Sequence, residues 1–198
     1  MVEKTESRAD ASERTRERIL EAARHLFTER GYFNTSIQDI RRSSGLSIGS
    51  IYHHFAGKEE IARALFYDTL AFVQSDIQEV YDQYVGARER CYQVIRRLFE
   101  TTESAPEVME YVLYFKHREV LPGEKPICAS RPFELFKTII AEGIAAGEIR
   151  PIDEVLGSAA LLGGPIRLVQ LRLEGVIENP LTDSLEEVWE CSWRSVAA

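Results

Sequence analysis

Gly45-Leu46-Ser47-Ile48-Gly49-Ser50-Ile51-Tyr52-His53-His54-Phe55, followed across Ala56-Gly57 by Lys58-Glu59, is the stretch that decides how this chain folds. Ser47 is a helix-capping residue type, because its side-chain oxygen can accept a backbone N–H of the first turn. Ile51 and Phe55 stand one turn apart and make a narrow apolar face, while Gly49, Ser50, Tyr52 and His53 leave the remainder small or polar. Just upstream, Thr35 or Ser36 can cap a second short helix that carries Ile37 and Ile40 inward. It stops before Ser43-Ser44-Gly45-Leu46, where Gly45 allows the positive φ of a sharp turn. Two short helices joined by a glycine-containing turn of about four residues form a helix-turn-helix, whose second helix reads a DNA major groove.

Working outward, Ile19, Leu20, Ala22, Ala23, Leu26 and Phe27 recur at spacings of three and four, predicting a helix from Ser12 to Arg30 that Gly31 ends. Residues 1–11 read as a flexible tail and 12–57 as a three-helix DNA-binding domain. From Lys58 a long amphipathic helix should reach about Val85, with Gly86 as its stop. Residues 58–198 then form an all-helical second domain, with helices from Ala87 to about Glu103, Pro106 to about Arg118, and Pro132 to Gly147. A further helix, Asp153 to Gly175, should be interrupted at Gly163-Gly164-Pro165, since proline lacks a backbone donor. Asp183 or Ser184 should start the last helix with a capping box. No strand, repeat or low-complexity segment is evident, so the class is all-α.

Composition narrows the function. With 44% hydrophobic and 28% charged residues, the chain is neither disordered nor fibrous. Its least polar run, Val155 to Ile166, is too short and too broken to span a membrane. The absence of an apolar leader in Met1-Val2-Glu3-Lys4-Thr5-Glu6 points to the cytoplasm. Cys91, Cys128 and Cys191 are far apart and lack metal-ligand spacing, so no metal site is expected; they read as incidental thiols, with a redox sensor as the alternative. The net charge of -8 would oppose DNA binding if it were evenly spread, but residues 1–60 hold ten basic and ten acidic side chains, so the acidity lies beyond them. There is no phosphate loop, His-Glu-x-x-His or nucleophile motif, which argues against an enzyme and for no cofactor.

Residues 15–61 resemble the DNA-binding domain of the tetracycline-repressor (TetR) family. The matching residues are Ile19-Leu20-Glu21-Ala22-Ala23, Leu26-Phe27, Arg30-Gly31-Tyr32, Thr35-Ser36-Ile37, Ile40, Ser44-Gly45-Leu46-Ser47, Gly49 to Phe55, and Lys58-Glu59. The resemblance implies base-edge contacts from Gln38, Ile48, Gly49 and Ser50, where glutamine suits adenine and isoleucine a thymine methyl. The family often has a polar or basic residue at the position of Ile48, so DNA shape is expected to share in the readout. Ser36, Ser47, Tyr52, His53 and Lys58 are the remaining DNA-contact candidates. Ser47 sits where helix N–H groups favour a phosphate, and Tyr52, His53 and Lys58 can position the duplex backbone.

The resemblance further implies a helical domain that binds a small-molecule effector and pairs with a second copy. Tyr81, Tyr84, Phe99, Tyr111, Tyr114, Phe115, His117 and Phe136 are the candidate lining of a site for an apolar or aromatic effector. Leu156, Ala159, Ala160, Leu162, Ile166, Val169, Leu173, Leu185, Val188, Trp189 and Trp193 lie on the helices expected to join two copies. The expected protein is a bacterial repressor whose homodimer binds a pseudo-palindromic operator in double-stranded DNA and leaves it when the effector binds. An activator, or a DNA-binding protein without an effector, would carry the same motif.

Overall fold

The computed structural model describes residues 8–124 and 130–198. Its chain divides into two compact units, Met1–Asp68 with Tyr114–Glu124 and Thr69–Leu113 with Lys125–Ala198. No strand occurs among the described residues; a single isolated bridge pairs Ile149 with Ala197.

In the first unit, α1 (Arg8–Arg30) turns its six predicted apolar residues into the core. It starts before Ser12, so Arg8 to Ala11 are helical rather than tail. Good helix formers at Ala9, Ala11, Glu13 and Arg14, and Asp10 in the first turn, explain the extension without any packing. Helices α2 (Ile37–Ser44) and α3 (Ile48–His54) lie against α1, with Ile19, Ile40 and Ile51 completely buried. The long helix α4 (Lys58–Gln83) begins here, burying Ile61, Ala62, Leu65 and Phe66, and continues into the second unit.

In the second unit α5 (Ala87–Ser104) is central. It packs against α8 (Arg131–Ala145), α9 (Glu154–Leu173), α10 (Leu185–Arg194) and a 3-10 turn at Leu181–Ser184. Their shared core includes Cys91, Ile95, Phe99, Phe136, Ile140, Leu161, Trp189 and Trp193. The Glu148 carboxylate caps α5 by accepting from Ala87 N–H at 3.1 Å and Arg88 N–H at 3.0 Å. Glu103 joins Arg172 at 2.9 Å and accepts Leu181 N–H at 3.0 Å. Burial raises the Cys91 thiol's pKa, which suits an inert core residue; Cys191 is exposed, and Cys128 lies outside the described residues.

Three further features differ from expectation. The helix expected from Pro106 to Arg118 is two, α6 (Pro106–Tyr114) and α7 (His117–Val120). Phe115 leaves the helix to stack on Phe27, 6.0 Å between centroids, and His117 packs on Phe66 at 5.0 Å. Helix α9 runs unbroken through Pro165, because Leu161, Pro165 and Val169 are buried along one face and that packing outweighs the lost bond. The capping box expected at Asp183 or Ser184 is absent. Ser184 makes no side-chain cap, and Leu185 N–H bonds Thr182 O within the 3-10 turn instead.

Gly143 marks the tightest approach in this core. A Cβ there would lie 2.5 Å from the Ala87 Cβ and 2.8 Å from the Ile149 Cδ1. Overpacking of about 1–3 kcal/mol should outweigh the ~1 kcal/mol that alanine gains in a helix. Gly143→Ala is therefore expected to lower the melting temperature by about 5 °C, and a thermal melt at or above wild type would contradict this packing.

Candidate nucleic-acid interface

The interface is assembled from the caps of two short helices. Ser36, not Thr35, caps α2: its Oγ accepts Asp39 N–H at 3.2 Å, and Asp39 accepts Ser36 N–H at 2.9 Å. The Ser36 hydroxyl also donates to Asp39 Oδ2. Those bonds, led by the hydroxyl and aided by Arg42 at 2.5 Å, hold the Asp39 carboxyl at about 2 against an ordinary 3.8. A depressed carboxylate contributes stability that is complete above about pH 4 and lost as pH falls toward 2. Asp39 should titrate near 2 by NMR, and Ser36→Ala should move it up toward 3.8; an unmoved value would show that the cap does not govern it. Thr35 has the buried role, with Oγ1 donating toward Leu26 O at 3.2 Å and Gly31 O at 3.0 Å.

The turn between the helices depends on Gly45, whose φ is +68° and whose N–H closes on Arg41 O at 3.1 Å. Arg18 of α1 donates to Ser44 O at 2.8 Å and pins this turn to the core. Ser47 then caps α3, with Oγ accepting Ser50 N–H at 3.0 Å. Ile51 faces inward with Phe55 behind it. The outward surface shows Gly49, Tyr52 and His53 exposed, Ile48 and Ser50 half-buried, and Gln38 of α2 exposed and bonded to Arg41 at 3.0 Å. An added Cβ at Gly49 would meet only Ser47 Oγ, at 4.0 Å. This is a shallow, small-residue helix face between hydroxyl and aromatic edges, the shape a duplex groove admits.

Lys58, a phosphate-contact candidate by sequence, is engaged within its own unit. Its Nζ donates to Tyr32 O at 2.8 Å and Thr35 O at 2.7 Å, and sits 4.1 Å above the Tyr32 ring. Partial burial lowers its pKa. The side chain ties the α1–α2 loop to the start of α4, so its charge is committed inside the unit.

Residues 19–65 match the family model described as bacterial regulatory proteins, tetR family. The HTH-type transcriptional repressor KstR2 of Mycobacterium tuberculosis is 34% identical over 138 residues, covering 67% of this chain and 68% of that protein. This chain belongs to the TetR family. The TetR-family fold extends over the whole molecule. A family regulator from Marinobacter aquaeolei VT8 superposes with TM-score 0.79 at 24% identity, covering 96% of this chain and 97% of that one. FadR from Bacillus subtilis, solved with stearoyl-CoA, gives 0.77 at 22% identity, covering 90% and 98%. As a TetR-family member this chain is a DNA-binding transcriptional regulator, and its relatives are regulators rather than enzymes.

The eight residues expected to line an effector site divide between the two units. Tyr114, Phe115 and His117 belong to the first unit, where Phe115 and His117 pack on Phe27 and Phe66. The other five belong to the second unit. There Phe99, Tyr111 and Phe136 are fully buried, and the Tyr81 hydroxyl donates to Glu142 at 2.6 Å beneath the Arg90 guanidinium. The sequence alone points to no role for Arg18, Asp39 or Tyr32. Ser36-x-x-Asp39 is a legible capping spacing, whereas nothing in the sequence links Arg18 to Ser44 or Tyr32 to Lys58.

Proposed function

We propose that this protein is a cytoplasmic, ligand-responsive repressor without enzymatic activity, whose homodimer holds a pseudo-palindromic operator and releases it when a largely apolar effector binds the second unit. The observation that carries the reading is the exposed α3 surface, set by two capped helices on a buried three-helix core. Gln38, Ile48, Gly49 and Ser50 face base edges, while Ser36, Ser47, Tyr52 and His53 position the phosphates. Lys58 acts from behind, through the loop it holds.

Dimerisation is supported by one face of α9. Leu156, Ala159, Ala160, Gly163 and Gly164 recur along it and are all exposed, and an added Cβ at either glycine would meet nothing within 4 Å. Such an unfilled stripe of small and apolar residues suits close packing against the same helix of a second copy. An effector with a long apolar part is supported by the acyl chain of the stearoyl-CoA held in FadR, and the repressor reading by the name of KstR2. No helix among the described residues is long and apolar enough to cross a membrane.

Genome-fragment selection with the purified protein, followed by footprinting, tests the DNA reading; the expected result is an enriched pseudo-palindrome protected by a dimer. Stearoyl-CoA added to that complex should weaken it by about 5–150-fold if the effector site takes long acyl chains. Absence of any enriched sequence would overturn specific recognition. Equal effector affinity for free and DNA-bound protein would overturn ligand-driven release.

A further inference from the structure

Helix α2 carries three charged side chains, Asp39, Arg41 and Arg42, and its two neighbouring arginines are engaged differently. Arg42 pairs with Asp39 at 2.5 Å. That carboxyl stays ionised, held at about 2 by bonds from the Ser36 hydroxyl, the Ser36 N–H and Arg42 itself, so the two charges cancel locally. Arg41 has no acidic partner. Its Nε donates to Gln38 Oε1 at 3.0 Å, and its two Nη groups bond nothing among the described residues.

This one bond decides what the pair can offer. It draws the head of Arg41 along α2 toward the N-terminus, onto the exposed side chain of Gln38. With Nε taken, the guanidinium keeps its far edge open, two Nη groups side by side. Gln38 has Oε1 turned to a cation and Nε2 left open. A glutamine that reads adenine accepts from N6 through Oε1 while donating to N7, and here that carbonyl is committed to Arg41. The open groups of the pair are therefore all donors, and they carry one net positive charge. Guanine alone among the bases shows two acceptors, N7 and O6, on its major-groove edge, and a guanidinium fork meets both.

We propose that Arg41 reads a guanine in each half of the operator, its two Nη groups donating to N7 and O6, with Gln38 as the positioning residue that braces the fork. The inference rests on α2 and α3 being the operator-facing surface. It adds a base-reading residue to that surface and puts guanine, in place of adenine, opposite the first turn of α2. A phosphate is the other acceptor that an open guanidinium meets, and sequence dependence tells the two apart.

Selection from randomised operators with the full chain, as wild type, Arg41→Ala and Gln38→Ala, tests this. Wild type is expected to enrich a guanine at one symmetric position in each half-site. Arg41→Ala should lose the preference at that position alone, by at least about fivefold per half-site, and Gln38→Ala should reduce it there too. Replacing that guanine by 7-deazaguanine deletes only N7. It should weaken wild-type binding by at least about fivefold and leave Arg41→Ala unaffected; the wild-type half of this measurement needs no variant to fold. Three results would each overturn the inference while sparing the α2–α3 surface. They are a guanine preference that survives Arg41→Ala, full wild-type affinity for the 7-deazaguanine operator, and an Arg41→Ala variant that weakens every sequence alike with a flattened salt slope, the behaviour of a phosphate contact. Enrichment of no sequence by wild type would overturn the surface itself and the role of Arg41 with it.

Discussion

Gly49→Glu is expected to reduce operator affinity by more than about a hundredfold while leaving the protein as stable as before, or slightly more so. The two effects have separate causes. Within the fold, Gly49 is exposed, a Cβ there meets nothing closer than 4.0 Å, and glycine is a poor helix former. A carboxylate in the first turn of α3 also lies favourably against the helix dipole. Toward DNA the same side chain would fill the surface proposed to enter the groove and place a negative charge against phosphates. A single unfavourable position costs about 1–3 kcal/mol per half-site, and a two-fold operator incurs it twice. Anisotropy titration with the selected operator, beside a thermal melt, reads both quantities. Retained affinity would remove α3's outward face from the interface altogether.

Lys58→Ala should cost about 2–3 kcal/mol of stability, because it strips two backbone carbonyls of charged donors and removes the cation from the Tyr32 ring. Operator affinity should fall with it, alike for every DNA sequence, as the α1–α2 loop and the start of α4 lose their common tie. The salt dependence separates this from a phosphate contact. A lysine on a phosphate contributes about one unit to the slope of log affinity against log salt, and its removal flattens that slope. A lysine committed inside the unit leaves the slope unchanged. Denaturant melts and affinities at several salt concentrations give the answer, and a flattened slope with unchanged stability would return Lys58 to the DNA surface.

The sequence carried the recognition unit in readable form because its determinants are local. Ser47, Ile51 and Phe55 state a capped helix and its buried side within about two turns; Gly45 states the turn, and Ile19 to Phe27 state the helix beneath. Each signal needs only near neighbours, so spacing alone predicts it. The same holds for the all-α class. The second unit was legible only as helices. Its aromatics have the same spacing whether they fill a core, as Phe99 and Phe136 do, or donate a hydroxyl to an exposed carboxylate, as Tyr81 does to Glu142. Periodicity reports that a face is buried, not what it is buried against.

What the sequence by itself determined is the order and approximate limits of most of the helices, the position of the helix-turn-helix, and the residues on its outward face. What only the tertiary structure decided is where the long-range partners lie. It turned Lys58 from the duplex to Tyr32 and Thr35, joined Arg18 to Ser44, carried α9 through Pro165, and drew Phe115 out of its helix to meet Phe27. The physical reason is one of range. Caps and turns are chosen by bonds that close within a few residues, whereas a charged stem or an aromatic ring takes the partner that folding brings to it from tens of residues away.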